Sequence, residues 1–286
     1  MNDSPIKLIL QGPGANPSSV QQLTTQIALP QPRQVAQQAW RCDLSEVLST
    51  GALDHLKTLC QSLQLDYALL AADIQLQNFK LLVMDMDSTL ITIECIDEIA
   101  DMQGLKSEVA AITEAAMRGA LDFAESLQRR VALLKGLDES ALARVFEQRL
   151  ELTLGAYSML HAMKQAGLRT VLVSGGFTYF TERLEHELEL DVSHANRLEV
   201  VDGKLTGRVL GNIVDAQAKK STVIEQSGEL GVPTTAAIVI GDGANDLAMM
   251  SVAGLSIAFR AKPVVQTKAH VALNYSGLDG VLNLFL

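Results

Sequence analysis

The feature that most constrains this chain is a short apolar run that stops on acid. In Phe79-Lys80-Leu81-Leu82-Val83-Met84-Asp85-Met86-Asp87-Ser88-Thr89-Leu90, four apolar residues give way to two carboxylates and two hydroxyls. A brief, unbroken apolar run bounded by polar residues is the pattern of a strand buried on both faces. Asp85 and Asp87 would then stand at the carboxyl edge of a sheet, where open α/β sheets bind ligands. Side chains alternate along extended backbone, so the two carboxylates can share a face while Met86 turns away. Like charges that close repel unless a cation or a shared proton intervenes. A metal site is therefore the first expectation; an acidic pair that only caps the next helix is the plainer alternative.

The same pattern recurs downstream. Residues 170–173 are apolar and run into Ser174-Gly175-Gly176. Residues 236–240 run into Gly241-Asp242-Gly243-Ala244-Asn245-Asp246, and 255–258 read as a fourth buried strand. Helical spacing over 156–165, 178–189 and 215–229 separates these runs, which predicts a mainly parallel, doubly wound α/β sheet. Asp202-Gly203, between 197–201 and 204–209, is a hairpin signal. Residues 96–102, 106–117, 121–134 and 139–150 place apolar residues at three- and four-residue steps. Four helices without a strand exceed an ordinary crossover. Residues 95–150 thus predict an inserted helical cap over the strand ends, able to exclude water and select substrate.

Residues 1–78 read differently. Strands are expected at 6–10, 40–44 and 66–71, with helices beginning near Ser18 and spanning 48–63, and Pro30 and Pro32 as breaks. This β-α-β-α-β pattern predicts a small α+β domain without an active site. Residues 73–78 form the junction to the remaining 79–286.

Composition narrows the function. The net charge of −10 argues against nucleic acid or an anionic membrane as partner, since both select basic surfaces. A local basic pocket can still hold a small anion. Cys42, Cys60 and Cys95 are an odd, scattered set, expected as free thiols in a reducing compartment. The N-terminus lacks a signal-peptide pattern, and no apolar run approaches the roughly 20 residues that span a bilayer. Cytoplasmic residence is expected, with a small-molecule substrate and, at most, a second copy of the chain in a homodimer. His55, His161, His186, His194 and His270 show no ligand spacing.

The chemistry follows from three polar strand ends facing one crevice. Asp85 is a candidate nucleophile, because carboxylates form aspartyl-phosphates. An anion that attacks a phosphate needs its charge neutralised. A divalent cation held by Asp85, Asp242 and a backbone carbonyl would supply that, and Mg²⁺ suits an oxygen-only site. Ser174, the Gly175 amide and a lysine can hold the other phosphate oxygens. Lys219 and Lys220 both lie near the start of the 215–229 helix, with Lys220 the expected solvent-facing neighbour. Phosphoryl transfer needs little beyond such positioning and charge stabilisation.

Asp85-Met86-Asp87-Ser88-Thr89, Ser174-Gly175-Gly176, Lys219 and Gly241-Asp242-Gly243-Ala244-Asn245-Asp246 resemble, in order, the four motifs of the haloacid dehalogenase-like hydrolases. Asp85 through Cys95, Asp122 through Leu134 and Asp215 through Lys219 further resemble the phosphoserine phosphatase family within them, over about 79–286. That resemblance implies attack by Asp85, with Asp87 protonating the leaving oxygen and later activating water. It implies Mg²⁺ on the side chains of Asp85 and Asp242 and the carbonyl of Asp87. Ser174, Gly175 and Lys219 would hold the phosphate, Asn245 would touch the ligand, and Asp246 would support the metal or Lys219 from behind. In the cap, Glu94 offers a partner for an ammonium and Arg130 a fork for a carboxylate; Phe123 and Met117 would close the pocket. Plainer roles are a helix cap for Glu94 and a pairing of Arg130 with Glu125 or Asp122.

The implied reaction is hydrolysis of O-phospho-L-serine to L-serine and phosphate, the last step of serine biosynthesis. The alternatives are a phosphatase or phosphotransferase for another small phosphate ester, or a non-enzymatic phosphoacceptor or amino-acid sensor. Residues 1–78 resemble the ACT-like domains of some family members, with a final strand expected to be missing.

Overall fold

The structure, a computed structural model, describes residues 5–118 and 120–286, apart from the side chain of Met117. The first unit comprises β1 (Ile6–Gln11), α1 (Pro17–Ile27), β2 (Arg33–Ala36), β3 (Ala39–Leu44), α2 (Thr50–Ser62) and β4 (Asp66–Ala71). Its strands form an antiparallel sheet in the order β2-β3-β1-β4. Strand alternation sends Leu8 and Leu10 into a core with Val20, Leu23 and Leu56 of the two helices, while Ile9 faces the main core with Ala68 and Leu70. The expected β-α-β-α-β pattern is one strand short, and the extra strand is internal. Arg33-Gln34-Val35-Ala36 lies at the sheet edge, exposed or half-buried along its length, so it carries no apolar alternation to read.

The larger sheet begins at β5 (Leu81–Met84). Four helices follow: α3 (Cys95–Asp101), α4 (Lys106–Met117), α5 (Phe123–Leu133) and α6 (Ser140–Gln148). Each lies within two residues of its expected bounds. The chain then runs through α7 (Ala156–Gln165), β6 (Arg169–Phe177), α8 (Thr178–Leu188), β7 (Val192–Val201), β8 (Lys204–Leu210) and α9 (Ala216–Glu229). It closes with β9 (Ala237–Gly241), α10 (Leu247–Met250), β10 (Leu255–Phe259), α11 (Pro263–Gln266), β11 (Val271–Leu273) and α12 (Gly280–Asn283). The three-residue β11 is too short to leave a pattern and was not expected.

The seven strands lie in the order β11-β10-β9-β5-β6-β7-β8, parallel except for the β7–β8 hairpin. Asp202 and Gly203 at the hairpin turn both have positive φ, at 51° and 73°, as a primed two-residue turn requires. β5 is central and completely buried. Chain direction across the sheet reverses beside it, from β6–β8 on one side to β9–β11 on the other, which makes its carboxyl end the topological switch point. The cap joins the sheet through two adjacent strands of chain: Ile91 bridges Leu152, and Thr153 binds the carbonyls of Thr89 and Leu90.

Candidate active site

Strand register places three loops side by side. Asp85 leaves β5 with its amide on the Ile240 carbonyl of β9, at 3.0 Å. The chain then turns sharply through Met86–Leu90, with Ser88 at φ 55°. Ser174, Gly175 and Gly176 lie near the carboxyl end of β6, and the Asp242–Asp246 loop follows β9.

Lys219 joins these loops. Asp215 caps α9 through the amides of Gln217 and Ala218, both at 2.9 Å, and this start sets the helix register. Lys219 is fully buried; its Nζ lies 2.7 Å from Asp85 Oδ2 and 2.7 Å from Asp246 Oδ1. Lys220 is half-buried and takes no part. Asp246 also accepts the backbone N–H groups of Asp242 and Gly243 through its other oxygen, at 3.1 and 3.0 Å. Asp242 receives a long 3.4 Å contact from the Thr89 hydroxyl.

Asp85, Asp242 and Asp246 bring one carboxylate oxygen each to within 4.8 Å of one another, the only such group of potential ligands among the described residues. Lys219 forms ion pairs with two of these three acids. Burial, then Asp246, raises the Asp85 carboxyl well above its usual value, with Lys219 opposing. Burial and Asp246 push Asp242 up to about 6. Lys219 is raised because Asp246 and Asp85 outweigh the burial that opposes its charge. An all-oxygen, net-negative cluster fits a hard divalent cation and has no sulfur or nitrogen donor to favour zinc or copper.

Asp87 sits beside this cluster and differs from it. Its Oδ1 accepts the Cys95 amide at 3.0 Å. Burial, then Glu94, pushes it up to about 7, so near neutrality much of it carries a proton. Its Oδ2 lies against Gly176, where a Cβ would stand 2.7 Å away. Gly175 is equally constrained: a Cβ there would meet Phe123 Cζ at 2.7 Å. A side chain at either glycine would displace a site group, Asp87 in one case and Phe123 of the cap in the other.

Asp85, Asp87, Ser174, Gly175, Asp242 and Asn245 line one cavity of about 150 Å³ with Glu94, Phe123 and Arg130 of the cap side. That volume is below the usual range for drug-sized ligands and suits a molecule of few heavy atoms. Glu94 precedes α3 but makes no side-chain cap; it accepts from Ser88 Oγ at 2.7 Å. Its carboxylate stays open to solvent inside the cleft, yet the surrounding protein mass raises its pKa, with Ser88 opposing. Arg130 is not paired with Asp122 or Glu125: Asp122 caps α5, and Glu125 holds Arg129. Burial lowers Arg130, while Asp97 and Glu94 counter it. The Met117 side chain, expected at the pocket, lies outside the described residues.

Lys262, also lining the cavity, was not anticipated. Its amide donates to the Asp242 carbonyl at 3.2 Å, and its charge bears on Glu94 and Asp242. The signal existed: Arg260-Ala261-Lys262 follows the apolar β10 as the other site loops follow theirs.

Comparison with known proteins accords with this geometry. A family model for haloacid dehalogenase-like hydrolases matches residues 82–251. A phosphoserine phosphatase of Polaromonas sp. is 53% identical over 217 residues, covering 74% of this chain and 92% of that one. A solved HAD family hydrolase from Salmonella enterica subsp. enterica serovar Typhi superposes with TM-score 0.89 at 32% identity, covering 98% of each chain. A solved phospho-aspartyl intermediate analogue of phosphoserine phosphatase superposes with TM-score 0.69 at 39% identity, covering 73% of this chain and 99% of that one. No described helix is long and apolar enough to cross a membrane. The chain belongs to the haloacid dehalogenase-like hydrolases and, within them, to the phosphoserine phosphatase family.

Proposed function

We propose that this protein is a Mg²⁺-dependent phosphatase that hydrolyses O-phospho-L-serine to L-serine and phosphate, as the last step of serine biosynthesis. The observation that carries the reading is the pairing of two unlike carboxyls, Asp85 held by Lys219 and Asp87 raised to about 7, within a small cavity that also holds Glu94 and Arg130. Burial raises both acids, but Lys219 works against that rise at Asp85 and favours its anion as nucleophile, while Asp87, raised to about 7, can carry the proton to be donated.

Asp85 attacks phosphorus and the phosphorus–oxygen bond to serine breaks. Asp87 gives its proton to the departing serine oxygen, so serine leaves as the neutral alcohol. The Asp87 carboxylate then takes a proton from water, whose oxygen attacks the aspartyl-phosphate and frees Asp85 and phosphate. Lys219, Ser174, the Gly175 amide and Asn245 hold the phosphoryl oxygens, and Asp246 holds Lys219. The Asp85 and Asp242 side chains and the Asp87 carbonyl would hold Mg²⁺, which offsets negative charge between carboxylate and phosphate. Glu94 receives the substrate ammonium and Arg130 its carboxylate, while Phe123 closes the pocket over Gly175.

Residues 79–286 form the catalytic unit in this reading, with the cap at about 95–150. Residues 1–78 are a separate ACT-like unit, complete with four strands. Three buried free cysteines fit a reducing cytoplasm.

The test is phosphate release from O-phospho-L-serine with and without Mg²⁺. Wild type should turn over only with the metal, and Asp85→Asn should lose roughly 10⁴-fold. Glu94→Gln and Arg130→Ala should each lose about 10²-fold on phosphoserine while keeping hydrolysis of an aryl phosphate. Wild-type inactivity with Mg²⁺ would overturn the substrate, and full turnover by Asp85→Asn the mechanism.

A further inference from the structure

Asn196 sits on β7, 1% exposed, outside the cavity and outside every motif considered above. The parallel ladder between β6 and β7 is regular from Val171 to Val173, breaks, and resumes at Phe177 opposite Asn196. The break spans Ser174-Gly175-Gly176, the segment assigned to phosphate binding. The ladder therefore does not fix that segment's peptide groups, and its two glycines give it wide conformational freedom.

The Asn196 side chain fills the break. Its Nδ2 donates to the Gly175 carbonyl at 2.8 Å, and its Oδ1 accepts the Val214 amide at 2.8 Å. Val214 directly precedes Asp215, the cap of α9, and the Lys219 amide binds the Asp215 carbonyl at 3.0 Å. One planar amide thus ties the Ser174 loop to the start of the helix that carries Lys219. Asparagine suits the place because it offers a donor and an acceptor on one short side chain. The same peptide is held at its other end as well, since the Gly176 amide donates to Ser174 Oγ at 2.8 Å.

We infer that Asn196 is a positioning residue for phosphate binding, holding the Gly175 carbonyl turned into the protein and locking the loop to the Lys219 helix. The inference rests on the phosphatase reading above. A released Gly175–Gly176 peptide is free to flip, and a flipped peptide takes the Gly176 N–H away from Ser174 Oγ and turns the Gly175 carbonyl oxygen toward the phosphate site. Asn196 prevents this by occupying that carbonyl.

Asn196→Asp separates positioning from folding. The shape and the acceptor for Val214 remain, while a carboxylate oxygen replaces the donor to Gly175. Inorganic phosphate binding is measured by calorimetry with Mg²⁺ present, alongside KM and kcat for O-phospho-L-serine and the melting temperature. The phosphate dissociation constant and KM should each rise about tenfold or more. Unchanged phosphate affinity and KM in the folded variant would overturn the inference, whatever its melting temperature. If Asn196→Asp does not fold, Asn196→Ser, whose shorter hydroxyl does not span both partners, is measured in the same way with the same two outcomes. Phosphate affinity does not depend on which ester is the substrate. Wild type that binds phosphate but ignores phosphoserine overturns the substrate alone, and wild type that binds no phosphate overturns both readings.

Discussion

Among the described residues two lysines are packed away, and they sit in opposite company. Lys219, fully buried, lies between the carboxylates of Asp85 and Asp246 at 2.7 Å each. Lys7, 1% exposed on β1, donates to the Ile74 carbonyl at 2.9 Å and has no carboxylate partner among the described residues. The charges act in opposite directions. Asp246 and Asp85 overcome desolvation and raise Lys219. Desolvation, aided by Arg41, lowers Lys7 despite Asp43 and Asp73. Fewer protein atoms crowd the Lys7 ammonium than the Lys219 ammonium, so its desolvation is also the milder. Burial of a charge therefore does not mark a site by itself. What marks it is burial together with an excess of opposite charge that the fold has no structural need to collect.

The strongest way to break this contrast is Lys219→Met. Phosphoserine turnover should fall roughly 10³-fold, because a preorganised cation on the transferring group is lost. Stability should also fall by about 3 kcal/mol or more, since Asp85 and Asp246 are left as buried, uncompensated carboxylates. Steady-state kinetics and urea denaturation check both. Retained activity would show that Lys219 only balances charge and does not grip phosphate.

How much of this was legible beforehand follows the same division. The site loops could be read because each places polar residues directly after an unbroken apolar strand, and both periodicity and chemistry are local there. The cap could be read because four amphipathic helices stand where one crossover belongs. Lys219 was favoured over Lys220 only through the resemblance of Asp215 through Lys219 to the family, and the Asp215 cap supplies the physical reason. The unread parts depend on distant partners. Arg33–Ala36 pairs as an exposed edge, so its sequence is polar throughout. Val271–Leu273 is a strand only because β10 lies beside it. Asn196 resembles any polar residue in a strand until the β6 ladder is seen to break opposite it. Asp66 likewise reads as an ordinary strand start, yet its carboxylate accepts the amides of Asn274, Tyr275 and Ser276 at 2.6–3.2 Å, more than 200 residues away.

A smaller effect sharpens the contrast through pH. In the metal-free protein, Asp87 is raised to about 7 and Asp242 to about 6. A carboxyl raised on folding binds its proton more tightly in the folded than in the unfolded chain. Its contribution is therefore neutral below about pH 4 and destabilising as pH climbs through the folded value. In chelator, Asp242→Asn should melt about 2–6 °C above wild type at pH 7.5, with that gap narrowed to roughly a third at pH 4.5. Added Mg²⁺ should reverse the order at pH 7.5 by stabilising wild type through binding. A variant less stable than wild type at pH 7.5 in chelator would mean that Asp242 earns its place structurally.

The smallest effect is expected at Lys7. Its neighbours on the same face of β1 are Ile9 and Gln11, which pack toward the larger unit, where Gln11 accepts from Asn283 at 2.7 Å. Methionine matches the aliphatic stem of lysine, adds no polar atom, and removes an ammonium whose charge is disfavoured where it sits. The cost is the single bond to the Ile74 carbonyl, which leaves an acceptor with one partner fewer, a loss of about 1 kcal/mol. The gain is relief from a partly desolvated cation of similar size. Lys7→Met should therefore shift unfolding free energy by less than about 1 kcal/mol in urea and leave kcat and KM for phosphoserine unchanged. Loss of activity in a variant of wild-type stability would place the N-terminal sheet in the catalytic cycle and dissolve the distinction between the two lysines.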